Sequence, residues 1–169
     1  TMRKNKNLMR GLLSAFAGVT LLAAFTSCEE KDYTSRMPTF AGFLIDPAAP
    51  APNDSITITA KQLSKGTLLN GTYYQWTITD SYDSVVCTQK QELIYDHQPS
   101  DPVLGYKLAP DARTGTYKVT FYARYKYSGQ GEAYSGSLTS PGLGYSGSII
   151  GSSGATYGEC NGEFTFTVQ

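Results

Sequence analysis

His97 is the only histidine in the chain, and a lone imidazole limits catalysis before any fold is considered. Nucleophile-and-base pairs and zinc sites need a second histidine or a reactive thiol nearby, and the segment Asp96-His97-Gln98-Pro99-Ser100-Asp101 offers neither. It reads as a polar loop. Glycoside hydrolysis would need only two carboxylates at a suitable separation, and the nearest pairs in sequence are Asp80 with Asp83 and Asp96 with Asp101. Both pairs lie in turn-like stretches, where Asp is common because its side chain bonds the following backbone. Neither shows the regular alternation of oxygen ligands found in an EF-hand calcium loop. The expectation is a non-enzyme, with no catalytic residue, no metal and no cofactor.

Tyrosine is the more informative residue. The stretch 128–162 is rich in Gly and Ser and carries Tyr134, Tyr145 and Tyr157. That is the composition of adaptable binding loops, in which stiff aromatic rings supply contact area and small residues supply freedom. A connection of this length is usually functional or disordered, so these three rings are candidate ligand contacts that could stack on sugars. The alternative is a hairpin extending the last two strands.

Cysteine chemistry divides in two. Cys28 follows a basic start with Arg3, Lys4 and Lys6, an uncharged and mostly apolar run from Gly11 to Thr26, and small polar residues leading into it. This is the layout of a secretory signal; a retained membrane span, which needs about 20 apolar residues, is the competing reading. Cys87 and Cys160 remain once Cys28 is set aside. Export would permit a disulfide between them, and closing so long a loop would stabilise the fold by about 4 kcal/mol in the chain-entropy model. Two buried thiols are the other outcome.

Charge supports the same picture. The 169 residues hold fourteen basic and fourteen acidic side chains, but four of the basic ones lie in the first ten positions, leaving an acidic remainder. With no cluster of Lys and Arg there, nucleic acid is not an expected partner. Thirteen Tyr and seventeen Gly suit strands and turns better than helices.

Strand periodicity then organises the body. Thr39 to Ile45 reads as a first strand ended by Asp46-Pro47, and Ile56, Ile58 and Ala60 alternate with Thr57, Thr59 and Lys61. After an Asn70-Gly71 turn signal, Tyr74, Trp76 and Ile78 alternate with Gln75, Thr77 and Thr79. Val85 to Cys87, Leu93 to Tyr95 and Val103 to Leu108 are shorter candidates. The strongest runs from Thr116 to Tyr127, with Tyr117, Val119, Phe121, Ala123, Tyr125 and Tyr127 on one face, and the last is Glu163 to Val168. About seven strands and no helical pattern after the leader predict an all-β antiparallel sandwich.

Phe25-Thr26-Ser27-Cys28 resembles a lipobox, at which the cysteine is lipidated and the chain cut before it. Glu29-Glu30-Lys31-Asp32 resembles the acidic signal by which Bacteroidetes export lipoproteins to the outer face of the outer membrane; a solvated tether is the plainer reading. Tyr74-Gln75-Trp76, followed by Gly115-Thr116-Tyr117-Lys118-Val119, resembles the immunoglobulin-like superfamily and its PKD-like branch. That resemblance implies a core tryptophan at Trp76 and a tyrosine corner at Tyr117. Asp54-Ser55-Ile56 and Asp83-Ser84-Val85 resemble the Bacteroidetes O-glycosylation signal at Ser55 and Ser84, although both serines could simply open strands. The implied plan is a signal peptide over 1–27, a lipidated tether over 28–38 with Glu29, Glu30 and Asp32 as export signal, and an immunoglobulin-like domain over 39–169. Its expected work is binding or scaffolding at the cell surface, with a glycan or an envelope protein as partner and the membrane reached through lipid; glycan capture for a polysaccharide uptake system is the alternative. Mass spectrometry of the native protein checks the address: the expected N-terminus is a diacylated or triacylated Cys28, and an unmodified cysteine refutes it.

Overall fold

The computed structural model describes residues 33–94, 99–140 and 142–169. The signal segment and the residues Cys28, Glu29, Glu30 and Asp32 lie outside the described residues, as do Asp96 and His97. Among the described residues there is no helix, and therefore none long and apolar enough to cross a membrane.

Eleven strands form among these residues: β1 (Thr34–Ser35), β2 (Thr39–Asp46), β3 (Ser55–Ser64), β4 (Leu69–Thr79), β5 (Val85–Ile94), β6 (Val103–Lys107), β7 (Gly115–Tyr127), β8 (Gln130–Gly131), β9 (Tyr134–Ser137), β10 (Ser148–Ser153) and β11 (Tyr157–Val168). The alternation that marks the strongest of them is the alternation of burial. Ile56, Ile58 and Ala60 of β3 face inward, as do Tyr74, Trp76 and Ile78 of β4 and the odd-numbered residues from Tyr117 to Tyr127 of β7. A three-stranded sheet ordered β2-β3-β6 faces a six-stranded sheet ordered β5-β4-β7-β11-β10-β9, and β1 pairs in parallel with β8. Seven strands, β2 to β7 with β11, keep the order expected of an immunoglobulin-like sandwich; β1, β8, β9 and β10 are additions to it.

Phe43 joins the layers. From β2 its ring meets Trp76 at 6.0 Å, Phe121 at 6.0 Å and Phe164 at 4.9 Å between centroids, one ring from each of three adjacent strands of the opposite sheet. Glycines make room for it: a Cβ on Gly162 would lie 2.5 Å from the Phe43 ring, and one on Gly147 would lie 2.9 Å from it. Trp76 and Phe121 pack at 4.5 Å, and Phe40 adds an edge contact to Phe121 at 6.3 Å. Near the far end, the Tyr117 hydroxyl donates to the Arg113 carbonyl at 3.0 Å, the back-bond of a tyrosine corner.

Several local expectations are corrected. The stretch 128–162 follows the hairpin alternative and not the binding loop: β8, β9, β10 and the first half of β11 occupy about half of it, and β10 pairs antiparallel with β11. The start of β11 is hidden in the sequence because Gly158 and Gly162 hold two of its inward positions and leave no side chain to mark the period. Asn70-Gly71 is not a turn but part of β4, at a bulge opposite the end of β7; the chain reverses earlier, between Ser64 and Leu69. Val85–Ile94 is one strand, not two, because an edge strand only partly covered on its inner side, by Cys87 and Leu93, tolerates the polar run Thr88 to Glu92. Residues 33–38 are not a spacer, since Ser35 and Met37 are buried and Arg36 bridges to Thr67.

Trp76 is 2% exposed within this ring cluster. Trp76→Ala should therefore cost about 3–5 kcal/mol of unfolding free energy, as large aromatic deletions in cores do. Urea denaturation measures it, and a loss below about 1 kcal/mol would contradict the packing described.

Candidate functional site

Residues out of phase with the core form the outer face of the six-stranded sheet, and three of them are tyrosines. Tyr73 on β4, Tyr122 on β7 and Tyr157 at the start of β11 all stand on this face. The ladder register decides what lies between them. Tyr73 is opposite Arg124, which is opposite Glu159; Gln75 is opposite Tyr122, which is opposite Asn161. Two depressions share Tyr122 as a wall. One, of about 650 Å³, is bordered by Gln75, Thr77, Thr120, Asn161 and Glu163; the other, of about 810 Å³, by Tyr73, Glu92, Arg124, Lys126 and Tyr157.

Polar contacts hold these side chains in place. The Tyr122 hydroxyl donates to Glu159 Oε1 at 2.6 Å, and Arg124 Nε stands 3.6 Å from the same oxygen. The Arg124 guanidinium also lies over the Tyr157 ring, 4.3 Å from its centroid, in cation–π geometry. Tyr73 meets Tyr122 edge-on at 6.0 Å and donates its hydroxyl to Gln75 Oε1 at 3.0 Å. Exposed ion pairs such as these, and Lys118 with Glu163 at 2.7 Å, each contribute only about 0–1 kcal/mol. Their effect is to orient the groups. Partial burial, followed by the hydrogen bond to Glu159 and the charge of that carboxylate, pushes the Tyr122 phenol up to about 12. It therefore stays a neutral donor at any physiological pH. Rings offering a face, an amide, a guanidinium and a carboxylate can together contact the apolar patches and hydroxyls of a polyhydroxylated ligand.

The three tyrosines predicted as ligand contacts do not converge. Tyr157 belongs to this face, but Tyr134 lies on the opposite side of the sheet, its hydroxyl donating to the Ser137 carbonyl at 2.6 Å. Tyr145 sits in the segment that crosses between β9 and β10 to the edge of β2, against Gly42. Tyr73 and Tyr122 were missed because the core phase of their strands is itself aromatic, with Tyr74 and Phe121 as immediate neighbours. The available signal was a large ring in the solvent phase of an alternating strand.

The predicted cysteine bridge is also corrected. Cys87 and Cys160 are free, and two strands, β4 and β7, separate theirs. Three strand spacings of about 4.8 Å already separate their backbones by roughly 14 Å laterally, and Cys160 lies four residues along β11 from the position in line with Cys87, so the pair is beyond the reach of about 7 Å that a disulfide allows. Burial raises both thiols, Cys160 to about 12. Ser55 and Ser84, the glycosylation candidates, are both exposed; Ser55 opens β3, and the Ser84 N–H bonds Asp80 Oδ1 at 2.9 Å. Asp80 accepts from the Tyr82 N–H as well, and these backbone bonds, helped by Arg113, hold its carboxyl below the usual range. It staples its turn. Asp101 is engaged by Lys61 at 2.8 Å and by the Gln62 N–H. Among the described residues no three potential ligands gather as a metal site. No family model, curated protein or solved structure matches the chain.

The raised Tyr122 phenol pKa carries a definite sign for stability. Because the folded state keeps the proton longer than the unfolded chain, the stabilisation is complete below the ordinary value near 10 and is lost as pH rises towards 12. Ultraviolet titration should find Tyr122 ionising near 12. Glu159→Ala, which removes both acceptor and charge, should lower that midpoint without returning it to the ordinary value, since burial is the larger cause; a midpoint unmoved by the substitution would show that Glu159 does not hold the phenol.

Proposed function

We propose that the protein is a lipid-anchored surface module that binds saccharide chains on the outer face of its six-stranded sheet, without catalysing a reaction. The observation carrying this reading is the grouping of Tyr73, Tyr122 and Tyr157 with Gln75, Arg124 and Glu159 on one open face. Cross-strand pairing accounts for Tyr73 with Tyr122; the third ring, Tyr157, stands 41% exposed beside them and extends the aromatic surface. The rings suit the apolar faces of sugars, while the planar polar groups between them suit equatorial and axial hydroxyls. Because the strands fix the backbone, little ordering entropy opposes binding. The anchor and the export signal, with Cys28, Glu29, Glu30 and Asp32, are part of the proposal: acyl chains on one cysteine would hold the domain at the outer membrane, where polymeric glycans are met.

A glycan array and retention on insoluble polysaccharide test the reading. Tyr73→Ala and Tyr157→Ala should each weaken retention roughly tenfold, in line with aromatic hot spots, and leave the melting temperature almost unchanged. Tyr134→Ala and Tyr145→Ala should leave retention intact. Binding that survives loss of Tyr73 and Tyr157 together removes the proposed site, and binding only to an envelope protein replaces the saccharide with a protein partner.

A further inference from the structure

Two sheets that pair face to face have four outer edges, and three of these are managed. The crossing segment covers β2: Phe40 N–H bonds the Leu138 carbonyl at 2.8 Å, and Phe43 and Ser146 exchange backbone bonds at 2.8 and 3.0 Å. Strand β6 has only five residues and follows Pro102, and β9 has four. Strand β5 differs. It is ten residues long and pairs regularly with β4 from Gly71 opposite Ile94 to Ile78 opposite Cys87, and among the described residues no strand lies on its other side. Nor does it contain a proline. A bulge interrupts the strand only at its start, where Thr79 stands opposite Val85; beyond that point the edge is a regular template for another strand, and its charges decide which strand can pair there.

We infer that β5 pairs with β5 of a second copy of this chain, antiparallel about a two-fold axis through Gln91. The charges single out this occupant and this register. Lys90 and Glu92 stand on the same face of β5 and flank Gln91, and neither forms an ion pair among the described residues. With Gln91 opposite its own copy, Lys90 of each chain stands opposite Glu92 of the other, giving two complementary pairs from one operation. Sliding the copies by two residues sets Lys90 against Lys90 or Glu92 against Glu92, which repel; a one-residue slip sends opposite side chains to different faces. Self-complementarity of this kind is what a two-fold interface requires. The pairing would join two six-stranded sheets into one of twelve, with both outer faces on the same side. Glu92 borders the larger depression, so Lys90 of the second copy would stand at its margin. Two such faces side by side would bind a polymer with greater avidity than either alone.

Sedimentation and light scattering of the full chain in mild detergent, over a wide concentration range, test the inference independently of any ligand. The wild type should be a dimer. Lys90→Glu turns both pairs repulsive and should weaken dimerisation roughly tenfold or more, while the exchange Lys90→Glu with Glu92→Lys should restore it. Both positions are exposed, so circular dichroism should show every variant folded. A monomeric wild type overturns the proposal, as does a dimer indifferent to Lys90→Glu or one that the exchange fails to restore.

Discussion

The insertion of Phe43 between the two sheets is the contact on which the rest of the architecture depends. One ring from the smaller sheet touches Trp76, Phe121 and Phe164, which belong to β4, β7 and β11 in lateral order. Its position therefore fixes the spacing of the layers and the phase of three strands together. Aromatic pairs in edge and offset geometries add about 0.5–1.5 kcal/mol each beyond the area they bury. Gly162 and Gly147 leave the space that the ring fills, and the Phe43 backbone is bonded on its open side to Ser146. A single residue thus links the smaller sheet, the larger sheet and the segment that closes the gap between them.

Fixing the inner phase fixes the outer one. Because side chains alternate along a strand, burying Tyr74, Trp76 and Phe121 necessarily turns Tyr73, Gln75 and Tyr122 to solvent, at positions set by the same register. The candidate site is a consequence of core packing in the sense that its backbone cannot shift without breaking the aromatic cluster behind it. Such a platform holds its groups already aimed: Arg124 is held between Glu159 and Tyr157, and the Tyr122 proton is directed at Glu159. The ligand would meet a prepared surface, and the ordering cost that flexible loops bear would be small.

The region between β7 and β11 resolves a problem of edges. An immunoglobulin-like sandwich of seven strands leaves the outer sides of β2 and β11 open. Here β9 and β10 extend the larger sheet past β11, while the segment joining them crosses to hydrogen-bond along β2. One Gly- and Ser-rich stretch therefore covers two edges, and its small residues reflect close approach between backbones more than freedom of movement. Tyr145, which the composition alone would assign to recognition, packs beside Gly42 where the crossing occurs.

The sequence by itself determined the all-β class, the inward faces of β3, β4 and β7 and the burial of Trp76, while the back-bond of Tyr117 was implied only by a resemblance. The first three follow from period-two alternation. Tertiary structure decided what depends on neighbours far apart in the chain. The glycines of β11 hid its first half because a residue without a side chain leaves no periodic mark, and it is the Phe43 ring, distant in sequence, and Ile149, on the neighbouring strand, that leave no room for a side chain at Gly162. The separation of Cys87 from Cys160 is a matter of strand order, which local patterns do not encode. Likewise Tyr73, Tyr122 and Tyr157 lie far apart in sequence, and only the lateral pairing of β4, β7 and β11 brings them to one face.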